Sequence, residues 1–305
     1  MLQRSMPRAR AHCLTFDVEE HFQVNAFDSE LRRRLWATTE SRVERNTEKL
    51  LALLERHRYR ATFFVLGWIA ERHAALVQRI ASAGHEVASH GYAHELITGL
   101  SPDTFREDVR KARKILEDVI GAPVHGYRAP SFTIVAETRW AHEVLVQEGY
   151  RWDSSVVPVV HDVYGLPGAN PYVHRIDTPS GPLWELPPST ARVLGTRIAV
   201  GGGGYFRLYP YPLLRRWLRR IEASGQPLVF YLHPWELDPE QPRMEGTRLS
   251  TFRHYLNLHK VELRLERLLD DFRFDSVRAL LPGFARQAER AQSAPAGALR
   301  RPSVH

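Results

Sequence analysis

The feature that most constrains this chain is an alternation. Short apolar runs rich in β-branched residues recur between amphipathic stretches of helical period, from residue 12 to about residue 278. "HCLTFDV" (12–18) predicts a strand, and "ESRVERNTEKLLALLERHR" (40–58) predicts a helix with apolar residues at Val43, Leu50, Leu51, Leu53 and Leu54. A buried strand (61–67) follows, then a helix closed by Gly84 and the strand "HEVASH". The next helix opens with Ser101 as cap and Pro102 in its first turn, and ends at Gly121. After "PVHGYRAPSF" comes a helix ending at Gly149, then "YRWDSSV" and a Pro/Gly-rich connection over about 156–182. "LWELPPS", "TRIAVGG" and "PLVFYLHPWEL" read as strands, with a helix from Tyr211 before the last of them. A helix over 252–270 and a short strand near 272–278 finish the fold. Strand–helix alternation of this kind predicts an α/β fold with a parallel sheet.

In such folds chemistry collects where strands end, at their carboxyl edge. The first strand ends in Asp17, Glu19 and Glu20, and the third in "SHGYAHEL", with His90 and His94. Arg128 and Asp153 follow later strands, and "LVFYLHPWEL" leaves His233, Trp235 and Glu236. A sheet that served only to support structure would have no reason to repeat this.

Two histidines four apart lie on one face of a helical turn and can share a metal ion. With one carboxylate they leave coordination positions open, as catalytic zinc sites do. Asp17 and Glu19, two apart, point to the same side of an extended chain, so that one can bind metal while the other acts as base. Glu20 is an alternative ligand. Pro130 pushes Ala129 toward an extended conformation, and an arginine held there can pair with a buried carboxylate and keep it ionised. His233 ends a strand too apolar for the surface. It is either a core histidine or a general acid whose ordinary pKa lies near neutrality, and the neighbouring Trp235 suits sugar stacking. "GGGGYF" (201–206) lacks the G-K-[ST] ending of a phosphate loop and reads as a tightly turned or flexible loop near the site.

The net charge of +7 does not indicate nucleic acid, because nearly all of the excess lies in residues 1–12 and 286–305 rather than on a folded face. One cysteine, Cys13, excludes an internal disulfide. No apolar run is long enough for a transmembrane helix, and the basic start lacks the apolar core of a secretory signal, so a cytoplasmic protein is expected.

Taken together, "TFDVEE" (15–20), "SHGYAH" (89–94), "RAPSF" (128–132), "DSSV" (153–156) and "LHP" (232–234) resemble, in order and spacing, the five motifs of the NodB-like polysaccharide deacetylases, carbohydrate esterase family 4. "DVEEHF", "GGGGYFRLYP" and "HPWELDPEQPR" resemble the subfamily associated with exopolysaccharide loci and the exosortase/PEP-CTERM system. The resemblance implies a distorted, incomplete (β/α) barrel over 12–235. It also implies a C-terminal extension packed on the barrel (236–282), between a flexible basic start (1–11) and a disordered tail (283–305). It implies a divalent metal, zinc above all, and hydrolysis of N- or O-acetyl groups on a glycan, with exopolysaccharide-assembly proteins as further partners.

Carried over, Asp17 matches the base, Arg128 the residue that orients it, and His233 the acid. Asp153 falls in the motif whose role in the family is to support the site around that acid, and His90 and His94 match metal ligands. Ser131 and Phe132 are expected to face substrate with Trp235. Val18 stands where the family's usual aspartate ligand would be and cannot bind metal. Same-side geometry favours Glu19 as its replacement. Three alternative functions remain: an amidohydrolase of the allantoinase or cyclic-imide type, a carbohydrate-binding protein that has lost catalysis, and a scaffold in polysaccharide assembly.

Overall fold

The computed structural model describes residues 11–27 and 30–293. In chain order the elements begin with β1 (Ala11–Val18), α1 (Glu30–Leu35), α2 (Val43–His57), β2 (Thr62–Val65), α3 (Gly67–Arg72), α4 (Ala74–Ser82) and β3 (Glu86–Ser89). There follow α5 (Pro102–Ile120), β4 (Gly126–Tyr127), α6 (Ala141–Gln147), β5 (Trp152–Asp153), β6 (His174–Thr178) and β7 (Gly181–Glu185). The hairpin β8 (Thr190–Val193) and β9 (Thr196–Ala199), α7 (Gly203–Leu208), α8 (Tyr211–Ala223) and β10 (Val229–Leu232) come next. The chain closes with α9 (Arg248–Tyr255), α10 (Val261–Asp271), β11 (Arg273–Asp275) and α11 (Val277–Ser293).

The main sheet runs β10-β1-β2-β3-β4-β5-β7-β6, with β11 pairing the start of β1. Every pairing in it is parallel except β6–β7. The chain beyond β7 crosses from β5 to β10: Leu186 N–H donates to Asp153 O, and Ser189 N–H to Val229 O. The result is the expected α/β architecture, a barrel closed on one side by irregular chain. Period two sorts the side chains of the strands. Leu14, Phe16, Val18, Phe63 and Val65 face outward into the larger core, shared with α2, α4 and α5. Cys13, Phe64, Ala88, Trp152 and Val229 meet inside the barrel, with Val277 and Phe284 of α11 among them. Thr15 and Asp17 lie on the same side of β1 as Cys13, so Asp17 faces inward at the carboxyl edge.

Several elements differ from expectation. α2 starts at Val43 rather than near Glu40, because Glu20 supplies its cap: the carboxylate accepts from Arg42 N–H (3.0 Å) and Val43 N–H (3.2 Å). The connection over 156–182 contains β6, which pairs back on β7. The helix expected over 252–270 is two helices, broken at Asn257 in the left-handed region (φ 53°), whose Nδ2 donates to Arg207 O. The segment 236–282 contributes β11 to the main sheet itself. α11 continues to Ser293, into the stretch expected to be disordered. The rest of that tail, and all but the last residue of the basic start, lie outside the described residues.

Candidate active site

Residues 17–20 go to three places, and the strand period sorts the first three of these residues. Val18 is buried in the outer core, Asp17 and Glu19 turn inward, and Glu20 is committed to the α2 cap. Glu20's oxygens thus serve the first turn of a helix, while Glu19 faces the two histidines.

Asp17 Oδ1 accepts from Arg128 Nη1 at 2.7 Å. The guanidinium is fully buried and also donates to Thr15 Oγ1 (2.8 Å), Ser154 Oγ (2.8 Å) and Ser154 O (3.2 Å). It lies over the Phe64 ring at 4.1 Å. Five directed contacts fix it, so Asp17 meets it in one orientation and keeps Oδ2 for other partners.

His90 and His94 converge although they are not on a helix. The loop after β3 turns through Gly91 (φ 74°) and His94 itself (φ 52°). Asp108 of α5 pins it by accepting from Tyr92 N–H at 3.0 and 3.2 Å. His90 Nδ1 bonds Arg128 O at 2.8 Å, which commits that nitrogen to donation and leaves Nε2 with a free lone pair on the side of Glu19. Burial lowers the His90 pKa to about 4, so the ring is neutral, as a metal ligand must be.

Glu19 is the centre of the cluster. Its Oε1 accepts from Trp235 Nε1 at 3.1 Å, while Oε2 lies 2.8 Å from His94 Nε2 and 3.8 Å from His90 Nε2. Burial opposes ionisation of Glu19, yet His94, His233 and His90 hold the carboxyl well below its ordinary range. Oε2 is buried and has no hydrogen-bond donor despite these contacts. Ligand atoms of Glu19, His90 and His94 all lie within 4.8 Å of one another. A buried carboxylate oxygen faced by two imidazole nitrogens is a donor set that fits a divalent cation.

His233 stands beside both carboxylates, its Nε2 3.9 Å from Asp17 Oδ2 and 3.7 Å from Glu19 Oε1. Its Nδ1 bonds Glu236 Oε1 at 2.8 Å, and Glu236 Oε2 accepts from Arg207 Nε at 2.7 Å. Burial alone would lower the His233 pKa; Glu19, Glu236 and Asp17 outweigh it and raise it to about 9. The imidazole is thus cationic at neutral pH. Arg207 sits on α7, which the glycine run brings against β10: Gly202 (φ 128°) bridges Tyr231, and a Cβ on Gly202 would lie 1.8 Å from Tyr231 O. That is why this stretch needs glycine.

Two residues take other places than expected. Asp153 makes no direct contact with His233. It lies at the end of β5, accepts from Ser155 Oγ at 2.5 Å and faces His142 at 3.7 Å, while Glu236, three residues beyond the acid, stands where support was expected. Trp235 is not an open sugar platform but a buried ring, 4% exposed, stacked between His233 and His254 at 5.0 and 4.3 Å. Phe132 is buried too, against Tyr231, while Ser131 is half-buried; both are left-handed (φ 51° and 56°). Glu236 was visible in sequence as a strand-end acid, at i+3 from His233. Arg207 and Asp108 gave no such signal.

A proton acceptor and a cationic proton donor thus flank a group suited to hold a metal, the equipment for hydrolysing an acyl bond. Comparison with known proteins narrows this class. Residues 9–150 match the family model described as polysaccharide deacetylase, and residues 154–282 match a second, described as a domain of unknown function, DUF3473. The first of these matches, just under half of the chain, is what likens it to the polysaccharide deacetylases. It is 30% identical over 145 residues to a peptidoglycan-N-acetylglucosamine deacetylase of Bacillus cereus, covering 45% of this chain and 53% of that protein. It is 34% identical over 70 residues to a chitooligosaccharide deacetylase of Rhizobium leguminosarum, covering 23% and 33%. It therefore spans about half the length of the first relative and a third of the second. A solved structure from Mycobacterium smegmatis, assigned as a polysaccharide deacetylase, shares the fold with TM-score 0.61 at 22% identity, over 98% of this chain and 97% of that one. Among the described residues no helix is long and apolar enough to cross a membrane.

Proposed function

We propose that this chain is a divalent-metal-dependent hydrolase that removes acetyl groups, N-linked ones first of all, from a glycan. The observation that carries the reading is the convergence of Glu19, His90 and His94 beside Asp17 and His233 at the carboxyl edge of the barrel. Glu19, His90 and His94 would hold the ion, and a donor set of two imidazoles and one carboxylate supports zinc. When bound, the ion supplies Lewis acidity toward an acetyl carbonyl and a water.

Asp17 takes the proton of the attacking water on Oδ2, since Oδ1 is held by Arg128. The main-chain N–H of Ser131, set by two successive left-handed residues, is the proposed donor to the oxyanion. His233 gives its Nε2 proton to the departing nitrogen, while Glu236 and Arg207 fix the ring and its charge. An imidazole that remains protonated at neutral pH suits an amine, which leaves only once protonated. The names of the two relatives support an N-acetylglucosamine glycan. In its finer form the proposal assigns that glycan to exopolysaccharide assembly in the cytoplasm. Its support there is the resemblance of "DVEEHF" and "HPWELDPEQPR".

The test is Asp17→Asn with N-acetylglucosamine oligomers as substrate. The variant is expected to keep its metal and lose acetate release by about two orders of magnitude or more. Acetate release at the wild-type rate would overturn the assignment of the base. Wild-type turnover of cyclic amides but not of acetylated oligomers would overturn the substrate class.

A further inference from the structure

A second cluster lies at the seam of the molecule, apart from the one just described. His142 of α6, Asp153 at the end of β5 and Glu185 at the end of β7 bring ligand atoms within 4.8 Å of one another. Asp153 and Glu185 are fully buried and His142 is 7% exposed. One atom of each, His142 Nε2, Asp153 Oδ2 and Glu185 Oε2, is buried without a hydrogen-bond partner. Their other oxygens are engaged: Asp153 Oδ1 accepts from Ser155 Oγ, and Glu185 Oε1 from Val156 N–H. So three unpaired polar atoms, from three elements, face a common point.

Two buried carboxylates need compensation. Among the described residues no arginine or lysine pairs with either, and the neighbouring imidazole of His142, 3.7 Å from Asp153 Oδ2, is pushed by burial toward its neutral form. A single proton shared by the two acids would satisfy the carboxylates and leave the histidine nitrogen unmatched. A divalent cation would neutralise both acids and engage all three atoms.

We propose that His142, Asp153 and Glu185 form a second, structural metal site for a divalent transition-metal ion. The imidazole favours zinc over magnesium or calcium, and the two carboxylates also suit manganese. Burial pushes both carboxyls above their ordinary ranges, the direction expected where a compensating charge is missing.

The location gives the ion a task. β4 and β5 are two residues each, so the sheet is thinnest here. His142 lies in the segment matched by the first family model and Glu185 in that matched by the second, so the ion would tie the two together. Ser154 and Ser155, which follow Asp153, bond Arg128 and Ala129 N–H. The site therefore fixes the position of the arginine that orients Asp17, without touching substrate.

The experiment is metal content by mass spectrometry on the full chain, purified with zinc or manganese and dialysed. Wild type should carry two equivalents, Glu19→Ala one, His142→Gln one, and the double variant none. If His142→Gln does not fold, the equivalent left on Glu19→Ala protein is read by X-ray absorption, where a single-imidazole, oxygen-rich shell is expected. One equivalent in wild type, lost with Glu19→Ala, would overturn the second site and leave the first intact. A residual ion with two imidazoles would overturn it as well.

Discussion

Replacing Arg128 by methionine tests the centre of the site. The guanidinium is fully buried and donates to Asp17, Thr15 and Ser154. Methionine fills much of the volume over Phe64 and restores none of these bonds. Asp17, 2% exposed, would then be a buried carboxylate without its partner. Breaking a buried pair in this way costs about 3–5 kcal/mol, a large part of the roughly 5–15 kcal/mol that holds a domain together. Asp17→Asn should cost less, because Arg128 keeps its bonds to Thr15 and Ser154. In the double variant no buried carboxylate is stranded, so the two changes should be non-additive by about 2 kcal/mol. Equilibrium unfolding in urea, followed by tryptophan fluorescence, reads all four corners of the cycle. An Arg128→Met cost below about 1 kcal/mol, or strict additivity, would refute the view that this pair is buried and mutually dependent.

Further outcomes follow from other parts of the molecule. Glu19→Ala should abolish binding of the first metal equivalent with little change in circular dichroism. Glu20→Ala should keep the metal and lose about 1–2 kcal/mol of stability with the α2 cap. His85, buried and accepting from Ala61 N–H, has its pKa lowered to about 4, first of all by burial. The unfolded chain therefore takes up that proton first. The contribution is complete above about pH 6.5 and falls away toward pH 4, by up to about 3 kcal/mol. His85→Asn should flatten the pH dependence of unfolding in that window. Gly202→Ala should lower stability by at least about 2 kcal/mol, since its Cβ would meet Tyr231 O at 1.8 Å. Gly204→Ala, with only Arg207 Nη2 near its Cβ at 3.9 Å, should be neutral or slightly stabilising in the same urea-unfolding measurement.

Strand period and strand ends made much of the site legible in sequence. Asp17 and Glu19 share a face because β1 runs extended up to them, and Arg128 ends its strand facing that same interior. What was not legible depended on contacts distant in sequence. That Glu20 is a helix cap becomes visible only when α2 packs beside it. Arg207 reaches Glu236 because Gly202 lets α7 approach β10, which no local pattern announces. His90 and His94 meet through two left-handed residues rather than through the helical turn their spacing suggested. Asp153 matched a motif by order, yet its neighbours are His142 and Glu185, brought there by α6 and β7. Trp235 was read as a surface for sugar from its position, but His254, from a helix that sequence did not separate, covers one of its faces.

The pairing of β1 also bears on how the protein is made. The strand that delivers Asp17 and Glu19 meets β10 through Cys13 and Val229, and β11 through Ala11 and Arg273. At roughly 5–20 residues per second, the ribosome needs about 10–40 s to produce the partner after β1 has been synthesised. During that interval β1 has one open edge, a state that invites pairing with other chains. On the proposed mechanism His233 arrives with β10, so a nascent or truncated product holding only the first half would carry Asp17, Glu19, His90 and His94 but not His233. If that mechanism holds, hydrolytic competence is tied to completion of synthesis.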